Sequence, residues 1–172
     1  MKFSVSQSSL ERALSIVAKG MASNSTLPIL SGIYISATAG MIELQSTDLT
    51  ISVRHKMAAG VEEGGQTVVS GRVLQNVVKT LADAAVSFEG GERVLTITCD
   101  KSTFRLNTID AQDFPEFPSY SLTRSIELPS ALLSQMVDKV YKVTSKDSSR
   151  PILSGVLLSV EQNTVRLVAT DA

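Results

Sequence analysis

Two aspartates that each follow a threonine, Asp48 and Asp171, invite a chemical reading first. Paired carboxylates in one cleft can act as general acid and base, so a small Asp-dependent hydrolase is one reading. The other is a strand-end turn, in which Asp accepts hydrogen bonds from nearby backbone N–H groups. The single histidine, His55, stands between Arg54 and Lys56, where a cation is disfavoured, and a surface strand position accounts for it. The single Cys99 lies in the strand-like run Leu-Thr-Ile-Thr-Cys-Asp without an evident basic neighbour to lower its pKa. One cysteine makes no internal disulfide, so it reads as a reduced structural thiol. No Cys/His cluster has metal-ligand spacing, and no Walker-type or dinucleotide glycine pattern occurs. Gly90-Gly91 falls between two predicted strands and suits a hairpin turn. Apart from that aspartate pair, the residues call for neither a metal nor a cofactor.

Basic residues form the more regular pattern. Arg12 and Lys19, Arg72 and Lys79, and Lys139 and Lys146 are each seven apart, with Lys142 inside the last pair. Seven residues are nearly two helical turns, so each pair shares a face. Such spacing is either ordinary solvation of an outer helix face or a phosphate-facing surface. The latter gives salt-sensitive binding without base readout. The formal net charge is −1, and carboxylates concentrate in predicted strands and turns. No basic arm or aromatic stacking platform accompanies the basic pairs.

Helices and strands must position these groups. Apolar residues make up 43% of 172 residues, enough for a core. Phe3 to Val5 reads as a strand, and a helix capped by Ser8 or Ser9 runs to about Gly20 on Leu10, Ala13, Leu14 and Val17. Ser23 to Thr26 reads as a polar loop. Strands are expected at Ile29 to Ala37, Met41 to Ser46, Leu49 to Met57 and Thr67 to Val69, with a turn at Gly60 to Gly65. Val73, Leu74, Val77, Val78 and Leu81 mark a second helix. Strands follow at Ala85 to Phe88, Val94 to Cys99 and Thr103 to Asn107. Asp113-Phe-Pro-Glu-Phe-Pro-Ser is a boundary, because two closely spaced prolines continue neither a helix nor an interior strand. Beyond it come a strand at Ile126 to Leu128, a helix with Pro129 in its first turn, and strands at Ile152 to Val160 and Val165 to Ala169.

That second run repeats the first. Shifted by 123 positions, Pro28-Ile-Leu-Ser-Gly falls on Pro151-Ile-Leu-Ser-Gly, and Thr47-Asp48 on Thr170-Asp171. A period this long is a whole-domain duplication. The units are expected at 1–120 and 121–172, the second copy incomplete. The chain then reads as part of a longer protein, or as one whose second copy docks on another chain. The fold class is α+β, helices on one face of antiparallel sheets. The start lacks an apolar signal region and no run reaches membrane-spanning length, so a cytoplasmic protein is expected.

The opening Met-Lys-Phe-Ser-Val, Leu27-Pro-Ile-Leu-Ser-Gly, Ser46-Thr-Asp-Leu, Asp113-Phe-Pro and Val168-Ala-Thr-Asp carry a resemblance. Along its whole length the chain resembles the bacterial DNA polymerase III beta subunits, the sliding clamps. The resemblance implies the DNA clamp fold, three similar domains per subunit, and a head-to-tail homodimer closing around double-stranded DNA. It implies a non-catalytic processivity factor that tethers the replicative polymerase. Polymerase and clamp loader would bind through short clamp-binding peptides. By position, it implies that Arg72 and Lys79 face DNA, as do Lys146 and Arg150 in the second copy's loop. The loop before Pro28 places Asn24 where the family often has a basic residue. Leu153 and Thr170 match the pocket for partner peptides. Phe104 and Leu106, with Lys101 nearby, match the edge strand that meets the other subunit. A plain peptide-binding module remains a further reading.

Overall fold

The computed structural model describes residues 1–23, 26–121, 125–147 and 149–171. The chain divides into two compact units, Met1–Ser119 and Tyr120–Ala172.

The first unit threads β1 (Lys2–Ser6), α1 (Gln7–Val17), β2 (Gly32–Thr38), β3 (Met41–Thr47), β4 (Ser52–Ala58), β5 (Gly60–Glu63), β6 (Gly65–Ser70), α2 (Gly71–Thr80), β7 (Ala85–Gly90), β8 (Val94–Cys99) and β9 (Ser102–Ile109). The strands form one antiparallel sheet ordered β4-β3-β2-β6-β9-β8-β7-β1-β5. Its two halves join narrowly, since β6 and β9 pair only at Val68↔Ile109 and Val69↔Thr108. Alternate strand residues, among them Ile33, Ile35, Ile42, Leu44, Val86, Phe88, Leu95 and Ile97, turn inward as the two-residue period requires. They enclose Leu10, Ala13, Leu14 and Val17 of α1 and Leu74 and Val78 of α2 in one core. Phe3 stacks on Phe88 with ring centroids 4.6 Å apart. Gln7 ties the helices together, its Nε2 donating to the carbonyl of Val78 at 2.9 Å. Gly71 opens α2 where there is no room for a side chain. A Cβ there would lie 2.0 Å from Met21 Sδ and 3.0 Å from Ile33 Cγ1.

Several local expectations are corrected. The first helix begins at Gln7 after Ser6, ahead of the serines expected to cap it. Pro28–Ser31 is a 3-10 turn, so the strand starts at Gly32 rather than Ile29. Leu30 N–H donates to the Leu27 carbonyl and Ser31 Oγ to the Pro28 carbonyl, which closes the turn. Leu49 belongs to a turn, and β4 starts at Ser52. Gly60–Glu63, expected as a turn, is an edge strand paired with β1 at Phe3↔Val61 and Ser4↔Gly60. His55 is half-buried on the core side of β4, level with Leu44, while Arg54 and Lys56 alternate to the other face.

The second unit contains α3 (Ser130–Val140), β10 (Leu157–Glu161) and β11 (Thr164–Val168). It repeats the first unit at the predicted shift. Leu157↔Val168 through Glu161↔Thr164 reproduces the register Tyr34↔Gln45 through Thr38↔Met41. The bond from Ala22 N–H to the Leu30 carbonyl recurs from Ser145 to Leu153, at 3.0 and 2.9 Å. Pro151–Ser154 is a 3-10 turn like its counterpart Pro28–Ser31, so Ile152 is not in a strand. Pro129 precedes α3 as its cap residue. Residues 126–128 are not a strand. Their counterpart β1 is held by β7 and β5, and the described part of this unit supplies no such partner. The core differs accordingly. Leu10 and Leu14 are 2% and 1% exposed, whereas their equivalents Leu133 and Val137 are 40% and 37% exposed.

Candidate nucleic-acid interface

The outer faces of α1 and α2 follow from the same periodicity that buries their inner faces. Arg12 on α1, Lys19 in the 3-10 turn after it, and Arg72 and Lys79 on α2 are all exposed. The acid within these elements is Glu11, which accepts a hydrogen bond from Gln7 Nε2 at 3.2 Å. None of the four cations forms an ion pair among the described residues. The ion pairs there lie on the strands: Lys2 with Glu62 at 2.6 Å, Lys56 with Glu43 at 3.1 Å, and the N-terminal amine with Glu63 at 3.7 Å. The hydrogen bond and charge of Glu62 raise the Lys2 pKa above its ordinary value. Lys2 and Lys56 are thus neutralised by neighbours, while the four helix-side cations remain available to an outside anion. Arg72 edges a cleft of about 400 Å³ shared with Ser23, Ser31 and Ser70. Lys79 lines the groove between the helices together with Glu11, Ser15 and Gln75.

In the second unit, Lys146 and Arg150 are exposed on the loop before Pro151. Asp147 between them is exposed, but its carboxylate is engaged. It accepts bonds from Ser149 N–H at 2.9 Å and Ser149 Oγ at 2.7 Å, and these bonds, the backbone one foremost, lower its pKa. Asn24 lies outside the described residues.

Leu153 is half-buried within its 3-10 turn, and Thr170 is exposed just beyond β11. Their counterparts Leu30 and Thr47 in the first unit are each 4% exposed. On β9, the stretch Ser102–Asn107 pairs along one side with β8. On its other side β9 meets β6 only at Thr108 and Ile109, which leaves an open backbone edge among the described residues. Lys101 is exposed at the hairpin tip. Phe104 is half-buried against the core and Leu106 is 6% exposed within it. The open feature of this strand is therefore its backbone more than the Leu106 side chain.

Of the acids that first suggested chemistry, Asp48 is engaged in a turn. Asp48 Oδ1 accepts bonds from Ile51 N–H at 2.7 Å and Thr50 N–H at 2.9 Å. These bonds, Ile51's foremost, lower its pKa, as expected of a carboxylate used as a turn cap. Leu49 sits at φ +73° inside that turn. Asp171 belongs to the other unit. Among the described residues no group of three or more His, Cys, Asp or Glu is placed to hold a metal. No helix among them is long and apolar enough to cross a membrane.

Sequence reasoning assigned no role to the contacts of Phe114 with Tyr34 and of Phe117 with Arg54. The aromatic-proline alternation at 114–118 was the available signal.

A family model described as "DNA polymerase III beta subunit, N-terminal domain" matches residues 1–118. The beta sliding clamp of Micrococcus luteus is 36% identical over 172 residues, covering 99% of this chain and 55% of that protein. The beta sliding clamp of Bacillus subtilis (strain 168) is 32% identical over 181 residues, covering 100% of this chain and 48% of that protein. The crystal structure of the DNA polymerase sliding clamp from Bacillus subtilis is similar with a TM-score of 0.95 and 30% identity. That match covers 99% of this chain and 47% of the other. The chain thus spans about half the length of the relatives it matches.

Proposed function

We propose, for a chain that belongs to the DNA polymerase III beta subunit family, the role of a replication processivity clamp: a non-catalytic ring component that encircles duplex DNA and tethers the replicative polymerase. Residues 1–120 would be clamp domain one and 121–172 the first part of domain two. The observation that carries the reading is the set of exposed, unpaired cations on the helix side. Among the described residues, Arg12, Lys19, Arg72 and Lys79 stand without ion pairs on two adjoining helices and the turn after the first, while Lys2 and Lys56 on the strands are paired with carboxylates. A surface of that kind neutralises phosphates without reading bases. A ring holds DNA by topology, so its contacts need only be weak, and weak contacts permit sliding. The slightly acidic whole discourages DNA from the outer surface.

In this reading Arg72, Lys79, Lys146 and Arg150 face DNA. Leu153 and Thr170 contribute to a pocket for the short peptides of polymerase and clamp loader. The open edge of β9 at Ser102–Asn107, flanked by Lys101 and carrying Phe104 and Leu106, takes up a strand of the second subunit in a homodimer. Backbone ladder formation needs only an unpaired edge, which suits a strand whose Leu106 is turned into its own core. Fluorescence anisotropy of a labelled duplex tests the DNA-facing assignment. Arg72→Ala with Lys79→Ala should weaken binding equally for unrelated sequences and flatten its salt dependence. Sequence-selective or salt-independent binding would overturn the assignment.

A further inference from the structure

The connector Asp113-Phe-Pro-Glu-Phe-Pro-Ser does more than end a unit. A residue before proline is driven into an extended conformation, and both Phe114 and Phe117 precede one. The segment is therefore held open, with two rings three positions apart. Phe114 packs on Tyr34 of β2 with ring centroids 5.3 Å apart. The guanidinium of Arg54 on β4 lies over the Phe117 ring, 4.2 Å from its centroid. Tyr34 and Arg54 occupy one row of the sheet, since Gln45 of β3 is the register partner of both. They point away from the core, because Ile35 beside Tyr34 points into it, and His55 beside Arg54 is level with the buried Leu44. The spacings agree. Two strand-to-strand steps span about 9.5 Å, and three extended residues reach about 10 Å. Tyr34 is itself fixed, its hydroxyl donating to Gln66 Oε1 at 2.7 Å on β6.

We propose that Phe114 and Phe117 form a two-point strap that fastens the connector across β2, β3 and β4 on the face opposite the helices, with Tyr34 and Arg54 as its anchors. The strap fixes where the chain leaves the first unit. Arg54 is a positioning residue in this arrangement, and its charge serves the connector rather than a carboxylate.

The test is cleavage after Glu116 by a glutamate-specific protease on the native chain. That bond is cut when the strap lifts, and Arg54→Ala leaves the sequence around it unchanged. A cation–π contact at an exposed site corresponds to about a two- to five-fold change in the lifted population. Arg54→Ala should speed cleavage after Glu116 by that factor, Arg54→Lys by less, and cleavage after Glu89 and Glu92 should not change. Unchanged cleavage after Glu116 in Arg54→Ala, or equal acceleration at all three sites, would overturn the strap. A second readout is the proton spectrum. The Arg54 side-chain protons should be shifted upfield by the Phe117 ring and lose that shift in Phe117→Leu. Random-coil positions in the unsubstituted chain would also overturn it.

Discussion

The unpaired helix-side cations make a quantitative prediction about salt. Each Lys or Arg that meets one phosphate contributes about −0.9 to the slope of log K against log salt on duplex DNA. If Arg12, Lys19, Arg72 and Lys79 each meet one, the slope is about −3.6, and raising salt from about 50 to about 200 mM weakens binding about 150-fold. The double variant Arg72→Ala/Lys79→Ala keeps two of the four, so its slope falls to about −1.8 and the same salt change costs about 12-fold. The matched control is Lys2→Ala/Lys56→Ala, which removes two cations already paired with Glu62 and Glu43. Its slope should remain that of the unsubstituted chain. Anisotropy of a labelled duplex over a salt series, repeated on a scrambled sequence, gives both slopes. If the control flattened the slope while Arg72→Ala/Lys79→Ala left it in place, the assignment of the helix face would be wrong.

Other outcomes follow from the packing. Gly71→Ala should destabilise the chain by about 1–3 kcal/mol, because the added methyl collides with Met21 and the buried Ile33; a urea midpoint measures it. Leu106→Ala should cost about 2–5 kcal/mol as an ordinary core truncation, whereas Lys101→Ala should leave the melting temperature in place. Asp48→Ala should lower stability at neutral pH. The folded carboxylate has a lowered pKa, so its contribution is full above the unfolded value near 3.8 and is lost as pH falls through the folded one. Urea midpoints of variant and parent should therefore differ at pH 6 and converge in strong acid.

What the sequence discloses is what depends on local period and on repetition. Leu10, Ala13, Leu14 and Val17 mark the buried side of α1, and Val94–Cys99 was legible to the residue because its alternation is uninterrupted. The repeat extends into three dimensions, down to strand register and single hydrogen bonds. Interactions between distant residues were not legible. Gly60–Glu63 looks like a turn because its glycine and two glutamates are exposed, and it is a strand only because β1 stands beside it. Pro28–Ser31 carries strand-forming residues, yet the bonds from Leu30 and Ser31 close it into a 3-10 turn. For the candidate interface, the seven-residue spacing of Arg72 and Lys79 was visible from the start. That they stay unpaired while Lys2 and Lys56 do not is a matter of which strands meet. The Arg54–Phe117 contact is of the same kind, joining residues far apart in sequence.

The central claim is that this chain belongs to a ring that keeps DNA by topology. It is tested most directly with a protein of the relatives' full length, loaded on nicked circular DNA and separated from free protein by gel filtration at high salt. The clamp reading predicts that protein stays with the circle and is lost once a single cut makes the DNA linear. Equal retention on circular and linear DNA would contradict it.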